Sequence, residues 1–155
     1  MMGIRESRRL KGVYTLTIDD YLARREFADS IGRNCYYVDI HQGKGKQNLC
    51  RTYEGWQIYM SQSPHSDWHC KAGESHGIPF RMMLSPRLDN YLAAGRCVSS
   101  DKGTYGSIRV MPNAMTIGEA AGIAAAQFAG QKLTAVSQIS IPELRNQITA
   151  RGGII

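Results

Sequence analysis

The hydrophobic and polar positions near the start of the chain predict a strand, a helix and a second strand. Bulky residues alternate over residues 10–16, as in a strand with one buried face. Thr17 and the acids that follow it are typical of a helix N-terminus, and this helix is expected to run to about Phe27 or Ile31. Aromatic and β-branched residues over 35–41 predict the second strand. This order indicates a domain of the α/β or α+β class.

A polar stretch separates this unit from the next predicted elements. Residues 42–77 are rich in glycine, lysine, serine, glutamine and histidine, and only residues 56–60 look like a strand. Loops longer than about 12–15 residues are usually either functional or poorly ordered. We therefore expect an irregular insertion that serves as a lid, a specificity loop or a mobile excursion.

Short buried segments dominate the pattern after this insertion. Residues 78–84 predict a strand with a proline at its start or on an edge, residues 85–90 predict a turn, and residues 91–95 predict a short buried strand. The chain therefore divides into a β-rich part over residues 1–90 and a strand–loop–helix part over residues 91–155.

A long apolar helix is predicted next. It begins near Pro112 and Asn113 and continues through residues 114–130. This stretch contains Glu119 and falls short of the ~18–20 residues that span a bilayer. We interpret it as a buried helix and expect no membrane span.

The last helix carries clear signals at both ends. Ser140, a proline in the first turn and a glutamate three residues after the serine form a capping box. Leu144 and Ile148 lie four residues apart and share one face of this helix. Gly152 and the glycine after it are expected to end the helix.

The composition is that of an ordinary globular domain. Hydrophobic residues make up 43% and charged residues 21% of the 155 residues, which favours one packed domain over disorder. Lysine and arginine outnumber aspartate and glutamate by 19 to 13, a formal charge of +6. The densest basic groups, residues 8–11 and Arg24 with Arg25, do not alternate with aromatic side chains as a base-stacking surface would. We interpret both as solvated faces in preference to polyanion sites.

The cysteines and histidines do not form a recognisable metal motif. The chain has no C-x-x-C pair, and free thiols in a reducing, cytoplasmic compartment are expected for Cys35, Cys50, Cys70 and Cys97. Met1 is followed by no apolar core segment, so no secretory signal is expected. One cluster has metal-ligand chemistry, namely His65, Asp67, His69, Cys70 and His76. Pro64 and the neighbouring serines and glycines favour a solvated loop there, so no metal is expected.

Two glycines stand one turn apart inside the long helix. Gly118 and Gly122 each cost up to about 1 kcal/mol of helix propensity relative to alanine, so an offsetting interaction is expected. Small residues allow a flat ligand or another backbone to approach the helix axis, and a helix N-terminus attracts anionic groups. Tight packing of the helix on a sheet would explain the same glycines. Both explanations stay open on composition alone.

Three short motifs follow one another in the second half of the chain. They read AGRCVS at residues 94–99, SIRVM at residues 107–111 and GEAAGIAAA at residues 118–126. Their order resembles the C-terminal flavin-contacting segment of FAD-dependent oxidoreductases, of the broad class that includes fumarate reductase and succinate dehydrogenase flavoproteins. Members of the family carry A-G-R-C-(I/V)-S, S-x-R-V-M and G-(Q/E)-A-A-G-x-A-A-A in this order.

The resemblance extends upstream. Members tend to show R-E-(S/T)-R-R, D-I-H and I-P-(Y/F)-R, which here are residues 5–9, 39–41 and 78–81. The match covers about residues 5–130, except for the insertion.

The resemblance implies a fold and a cofactor. Residues 1–90 would supply strands of a substrate-facing sheet, and residues 91–155 the C-terminal strand and helix of an FAD-binding domain, an incomplete Rossmann-like flavoprotein. The helix N-terminus would face the pyrimidine edge of the isoalloxazine and stabilise negative charge at N1–C2=O. Glu119 would bond to a backbone N–H or to the ribityl hydroxyls. The implied cofactor-binding residues are Gly95, Arg96, Gly106, Ser107, Asn113, Gly118 and Glu119.

Three residues match positions near the active site of relatives. Arg109 is implied to bind a substrate carboxylate or to assist proton transfer, with structural pairing to a carboxylate equally open. His41 and Arg81 are implied substrate contacts, and a structural role for each is at least as well supported.

The ADP-binding signature of such flavoproteins is absent from the 155 residues. No G-x-G-x-x-G occurs in them. We therefore expect the C-terminal part of a flavoenzyme that needs an N-terminal FAD-binding domain or a partner chain. Alone it would bind FAD weakly, be inactive and expose a partly apolar surface. The implied reaction is hydride transfer between flavin and a small organic substrate. The alternative is a non-enzymatic basic module that binds a partner protein or nucleic acid.

Overall fold

A computed structural model describes residues 8–38 and 70–155. These residues form a mixed structure of helices and a small sheet, consistent with the α/β class. The helices and strands are α1 (Ile18–Leu22), β1 (Ser30–Asn34), β2 (His76–Pro79), α2 (Lys102–Ile108), α3 (Met111–Gly130) and α4 (Ile141–Ala150). Short 3₁₀ turns lie at Phe80–Met83, Gly95–Cys97 and Val136–Gln138.

The two strands form an antiparallel pair. Ser30 is opposite Pro79 at one end, and Asn34 is opposite His76 at the other, with an irregularity in between. We call these the Pro79 end and the Asn34 end. The ends are about 10 Å apart along β2, at about 3.3 Å per residue. Both α3 and α4 pack on β1.

A glycine in β1 lets α3 come close to the sheet. A Cβ atom at Gly32 would overlap Cγ2 of Thr116, which lies on the sheet-facing side of α3. By contrast, a Cβ at Gly118 or at Gly122 would meet no atom within 4 Å. The close helix–sheet contact therefore depends on the strand glycine and not on the two helix glycines.

The core joins residues from both halves of the chain. Ile31 of β1, Ile117 of α3 and Leu144 of α4 are fully buried within one continuous hydrophobic cluster. Burying such a side chain contributes about 1.5–3 kcal/mol. This shared cluster holds the two helices on the sheet.

The predicted final helix is confirmed. Ser140 caps α4 by accepting a hydrogen bond from the Glu143 N–H at 3.3 Å, and Leu144 and Ile148 are buried together. The helix ends at Ala150, and Gly152 follows with a φ of 89°, the left-handed conformation that favours glycine.

The start of α1 is confirmed, but its predicted end is wrong. Thr17 and Asp20 form a reciprocal capping box at the N-terminus. The helix then stops at Leu22, well before Phe27, because Arg24 adopts a left-handed φ of 50°.

The predicted strand at residues 10–16 is not regular. The segment makes backbone hydrogen bonds to neighbouring chain, such as Val13 N–H to the Leu84 carbonyl at 3.0 Å, but only Leu16 forms a bridge, to Ser100. Its neighbours are irregular turns and offer no continuous ladder of donors and acceptors.

The strands predicted around residues 35–41 and 78–84 are displaced. The first strand is Ser30–Asn34, whose residues are mostly buried on both faces, and Tyr36 and Tyr37 beyond it stack on each other. Residues 39–41 lie outside the described residues. The second strand begins at His76 and ends at Pro79, where the backbone turns into a 3₁₀ segment. The irregular insertion predicted over residues 42–77 is therefore too long, because its last two residues belong to β2.

Two more predictions are corrected in the second half. Residues 91–95 form no strand; only Leu92 bridges to Leu84, and Gly95 adopts a φ of 72° and opens a 3₁₀ turn. The long helix begins at Met111 as expected, yet it is not buried all round. One of its sides faces solvent.

Candidate functional site

The exposed side of α3 is an apolar stripe. Met111 and Met115 are 71% and 74% exposed, which is unusual for large apolar side chains. The residues of this stripe recur at alternating spacings of four and three positions. This is the pattern of a helix face that packs against another element. We call it the bare face, and it consists of Met111, Met115, Gly118, Gly122, Ala125 and Ala129.

The N-terminus of α3 carries no side-chain cap among the described residues. Val110 is the N-cap residue, and Pro112 occupies the first turn, where its missing N–H costs nothing. The helix has no acid in its first turn, so the positive end of its dipole is not neutralised there by a carboxylate of its own. Since α3 has 20 residues, this end suits an anionic or strongly polar group.

A buried polar network holds this helix end against the Asn34 end of the sheet. The Asn113 amide donates to Asn34 Oδ1 at 2.8 Å and to the Ser107 carbonyl at 3.1 Å. The Asn34 amide donates to the Ser107 hydroxyl at 2.7 Å, and that hydroxyl donates to the Tyr36 carbonyl at 2.5 Å. Asn34 Nδ2 also lies 2.9 Å from His76 Nε2. The network thus joins both strands to α2 and α3.

His76 is a neutral acceptor in this network. Its ring is fully buried, and burial lowers its pKa to about 4. Because Asn34 donates to Nε2, the ring proton is on Nδ1, which donates to the Gly77 carbonyl at 2.9 Å. Both nitrogens are therefore engaged, and this histidine is not available to a metal.

Two predicted cofactor residues belong to this network. The Ser107 hydroxyl has one donor and one acceptor partner inside the protein, and the Asn113 amide nitrogen has two acceptors. Gly106 is also buried within α2. These buried residues lie on the inner side of the α3 N-terminus.

Gly118 and Glu119 lie at the surface instead. Gly118 belongs to the bare face, and Glu119 is exposed beside it as the first charged residue after the helix start. The exposure of Gly118 argues against the explanation that it serves tight packing on the sheet.

Arg109 connects α2 to α3. It is 8% exposed, its guanidinium carbon lies 5.8 Å from the centre of the Tyr105 ring, and its backbone carbonyl accepts from Arg96 Nε at 2.9 Å. Arg96 is itself exposed and follows Gly95 in the 3₁₀ turn. The structure therefore brings Gly95, Arg96 and Arg109 to the region just before α3.

Arg81 is placed at the Pro79 end of the sheet, in the 3₁₀ turn after β2. Asn113 contacts the Asn34 end, so Arg81 and the α3 N-terminus lie at opposite ends. The described geometry does not bring Arg81 together with Arg109. His41 lies outside the described residues.

Sequence reasoning missed the roles of Asn34 and His76. Asn34 stands at the end of a strand that was predicted a few residues too late, and His76 was assigned to the polar insertion. Asn34 and Asn113 are 79 positions apart, and no pattern in one sequence pairs them. The available signal was a polar residue at the end of a buried strand.

Three arginines of the densest basic groups make contacts within the protein. Arg25 pairs with Asp20 at 2.8 Å, and Arg24 pairs with Glu74 at 3.2 Å. Arg9 lies over the ring of Tyr105 at 4.7 Å. These contacts give no support to a polyanion-binding surface.

Metal ligation and membrane insertion can be checked over residues 8–38 and 70–155. Within these ranges, no three histidine, cysteine or acidic side chains are close enough together to hold a metal ion. The histidines at 65 and 69 and Asp67 lie outside them. No helix in the same ranges has the length and hydropathy needed to cross a bilayer.

One comparison with known proteins identifies a relationship. A family model described as FAD dependent oxidoreductase matches residues 1–148, nearly the whole chain. Comparisons with curated proteins and with solved structures returned no significant match.

Proposed function

The chain belongs to the FAD dependent oxidoreductase family, and on this premise we propose that it supplies the isoalloxazine contacts and part of the substrate site of a flavoenzyme. The observation that carries this proposal is the bare face of α3 together with its uncapped N-terminus. The proposed division is a substrate-side part over residues 1–90 and a flavin-contacting part over residues 91–155.

The residues at this helix end fit a flat, electron-accepting ring. The glycines of the bare face leave open space that a side chain would fill, and the methionines beside them offer soft apolar contact. Met111 and Asn113 lie in the first turn, where backbone N–H groups point out of the helix. Gly118 and Glu119 follow on the exposed side. When bound, FAD supplies hydride transfer to or from a small organic substrate.

The role of the helix is electrostatic. Its positive end stabilises negative charge on the pyrimidine edge by an amount that is typically about 0.3–1 kcal/mol, and more when the site is shielded from water. Arg109 ends the preceding helix, directly before α3 in the chain, and is proposed to orient a substrate carboxylate. Gly95 and Arg96 form the turn that supports Arg109.

The ADP half of FAD needs a different unit. Because no G-x-G-x-x-G occurs among the 155 residues, we propose that an N-terminal FAD-binding domain or a partner chain holds the pyrophosphate and covers the bare face. The complete assembly would then be Rossmann-like and related to the fumarate reductase and succinate dehydrogenase flavoproteins. The chain alone is proposed to be inactive.

The test compares three ligands on the purified chain: riboflavin, FAD and ADP. If the chain contacts only the isoalloxazine, riboflavin and FAD should bind with similar affinity, and ADP should neither bind nor compete. Fluorescence anisotropy of a fixed amount of riboflavin, titrated with protein, measures this. Competition by ADP, or FAD binding without riboflavin binding, would contradict the proposal.

A matched pair of variants locates the contact. Gly118→Leu places a large side chain on the bare face, about two turns from the start of α3, and should abolish riboflavin binding. Gly130→Leu is the control, since this glycine also has open space around it and lies in the last turn of α3, about 18 Å away. Equal effects of the two substitutions would show that the ring does not lie on this face.

A further inference from the structure

A cleft lies at the Pro79 end of the sheet, away from the α3 N-terminus. It has a volume of about 520 Å³, within the range of about 300–1,000 Å³ that is usual for small-molecule sites. One wall is the turn before β1 with Arg81, and the other is the first part of α4. Ala28, Ile141 and Pro142 give the cleft an apolar lining.

Arg81 is held in this cleft by two aromatic rings and one carboxylate. Its guanidinium carbon lies 4.7 Å from the centre of the Tyr14 ring and 5.4 Å from that of Phe27. Nη1 is 3.4 Å from Asp29 Oδ1, longer than the ~2.7–2.9 Å of a good charge-assisted hydrogen bond. The side chain is 41% exposed. The guanidinium is therefore fixed in position while much of its hydrogen-bonding capacity is unused.

Arg145 faces the same cleft from α4. Its Nη1 donates to the Ala28 carbonyl at 2.8 Å, which orients the guanidinium across the cleft. Within the described part of the chain, no carboxylate pairs with it. A backbone carbonyl does not neutralise a full positive charge, so Arg145 leaves the cleft electropositive.

The charges of the cleft select the class of ligand. Arg81 and Arg145 contribute two positive charges and Asp29 one negative charge, so the net charge of one is matched by a single carboxylate. A phosphate dianion carries one more negative charge than the cleft balances. Guanidinium groups bind carboxylates through paired N–H donors, and the apolar lining suits a hydrocarbon body. We propose that this cleft binds a small organic monocarboxylate between Arg81 and Arg145.

This cleft does not depend on the flavin assignment. It lies at the opposite end of the sheet from the network around Asn113, and none of the bare-face residues lines it. The binding experiment contains no flavin, so its failure and the failure of the proposed function are independent results.

The experiment uses the 155-residue chain and three probes: 3-phenylpropanoate, its neutral amide 3-phenylpropanamide, and inorganic phosphate. Isothermal titration calorimetry at pH 7 and low salt should give saturable binding of the carboxylate. The amide should bind at least about tenfold more weakly, because it makes no charge-assisted bond. Phosphate should bind more weakly than the carboxylate. No saturable carboxylate binding, equal affinity for the amide, or tighter binding of phosphate would overturn the proposal.

Variants of α4 provide the structural control. Arg145→Gln should weaken carboxylate binding by about 10–100-fold, and Arg145→Lys, which keeps the charge but loses the planar fork, should fall between. Arg151→Gln is the matched control, because Arg151 is exposed near the end of the same helix and donates to the Gln147 carbonyl outside the cleft. Thermal melting establishes that each variant folds. Unchanged affinity in a folded Arg145→Gln variant, or equal loss in Arg151→Gln, refutes the site.

Discussion

The Asn113 side chain in the first turn of α3 donates a 2.8 Å hydrogen bond to Oδ1 of Asn34 at the end of β1. Both side chains are at least 95% buried, and Ser107 bonds to both of them. This contact connects the sheet to the helix end that is proposed to face the flavin. The hydrogen bond fixes the N-terminus of α3 relative to β1.

Replacing Asn113 should therefore destabilise the fold. Asn113→Ala removes two donors and leaves buried acceptors on Asn34 and Ser107, which typically costs about 1–3 kcal/mol. Urea denaturation measures the free energy of unfolding. Asn146→Ala, at an exposed position of α4, is the control and should change it by less than about 0.5 kcal/mol. Equal effects of the two substitutions would show that the network contributes nothing specific.

His76 should make stability depend on pH in a defined window. Its pKa is about 4 in the folded protein against 6.5 for a free imidazole, so the unfolded chain binds the proton more tightly. Stability should fall as pH drops from 6.5 towards 4, by up to about 1.4 kcal/mol per unit, and the contribution of this histidine is flat above pH 6.5.

The His76→Gln variant isolates this contribution. It keeps a side-chain acceptor but cannot titrate, so its free energy of unfolding should lose that part of the pH dependence. Urea titrations of both proteins across the window give the difference. Parallel pH profiles would mean that His76 does not titrate differently in the two states.

Gly32 and Gly122 should respond in opposite ways to alanine. Gly32→Ala forces a Cβ into Thr116 and should destabilise by about 1–3 kcal/mol, as overpacking does. Gly122→Ala enters open space on the exposed side of α3 and should stabilise by up to about 1 kcal/mol. Thermal melting of both variants provides the comparison.

A double variant tests the cause of the Gly32 effect. Adding Thr116→Ala to Gly32→Ala removes the overlapping methyl group and should restore part of the stability. Additive losses in the double variant would mean that the two residues do not interfere.

Asp20 should be far more sensitive to neutralisation than Asp19. The buried Asp20 carboxylate accepts hydrogen bonds from Tyr14 at 2.7 Å and from the Thr17 backbone and hydroxyl at 3.0 Å, and it pairs with Arg25. Asp20→Asn replaces an acceptor oxygen by a donor in this cluster and should cost about 2 kcal/mol or more. Asp19→Asn, exposed in the same helical turn, should cost less than about 1 kcal/mol. Chemical denaturation measures both, and similar losses would contradict the assignment.

The sequence by itself determined the features that depend on near neighbours. The caps at Thr17 and Ser140 and the start of α3 near Pro112 were predictable because each of these signals acts within three or four residues. The family motifs could also be read from the sequence, because each is a short run of neighbouring residues.

Only the tertiary structure decided which surfaces meet. The strand Ser30–Asn34 exists because it pairs with His76–Pro79 far along the chain, and propensity alone placed it several residues too late. The sequence of α3 shows where small residues lie but not which side is covered, because both sides are apolar. Gly32 supplies the close contact with the sheet, and this leaves Gly118 and Gly122 at the surface.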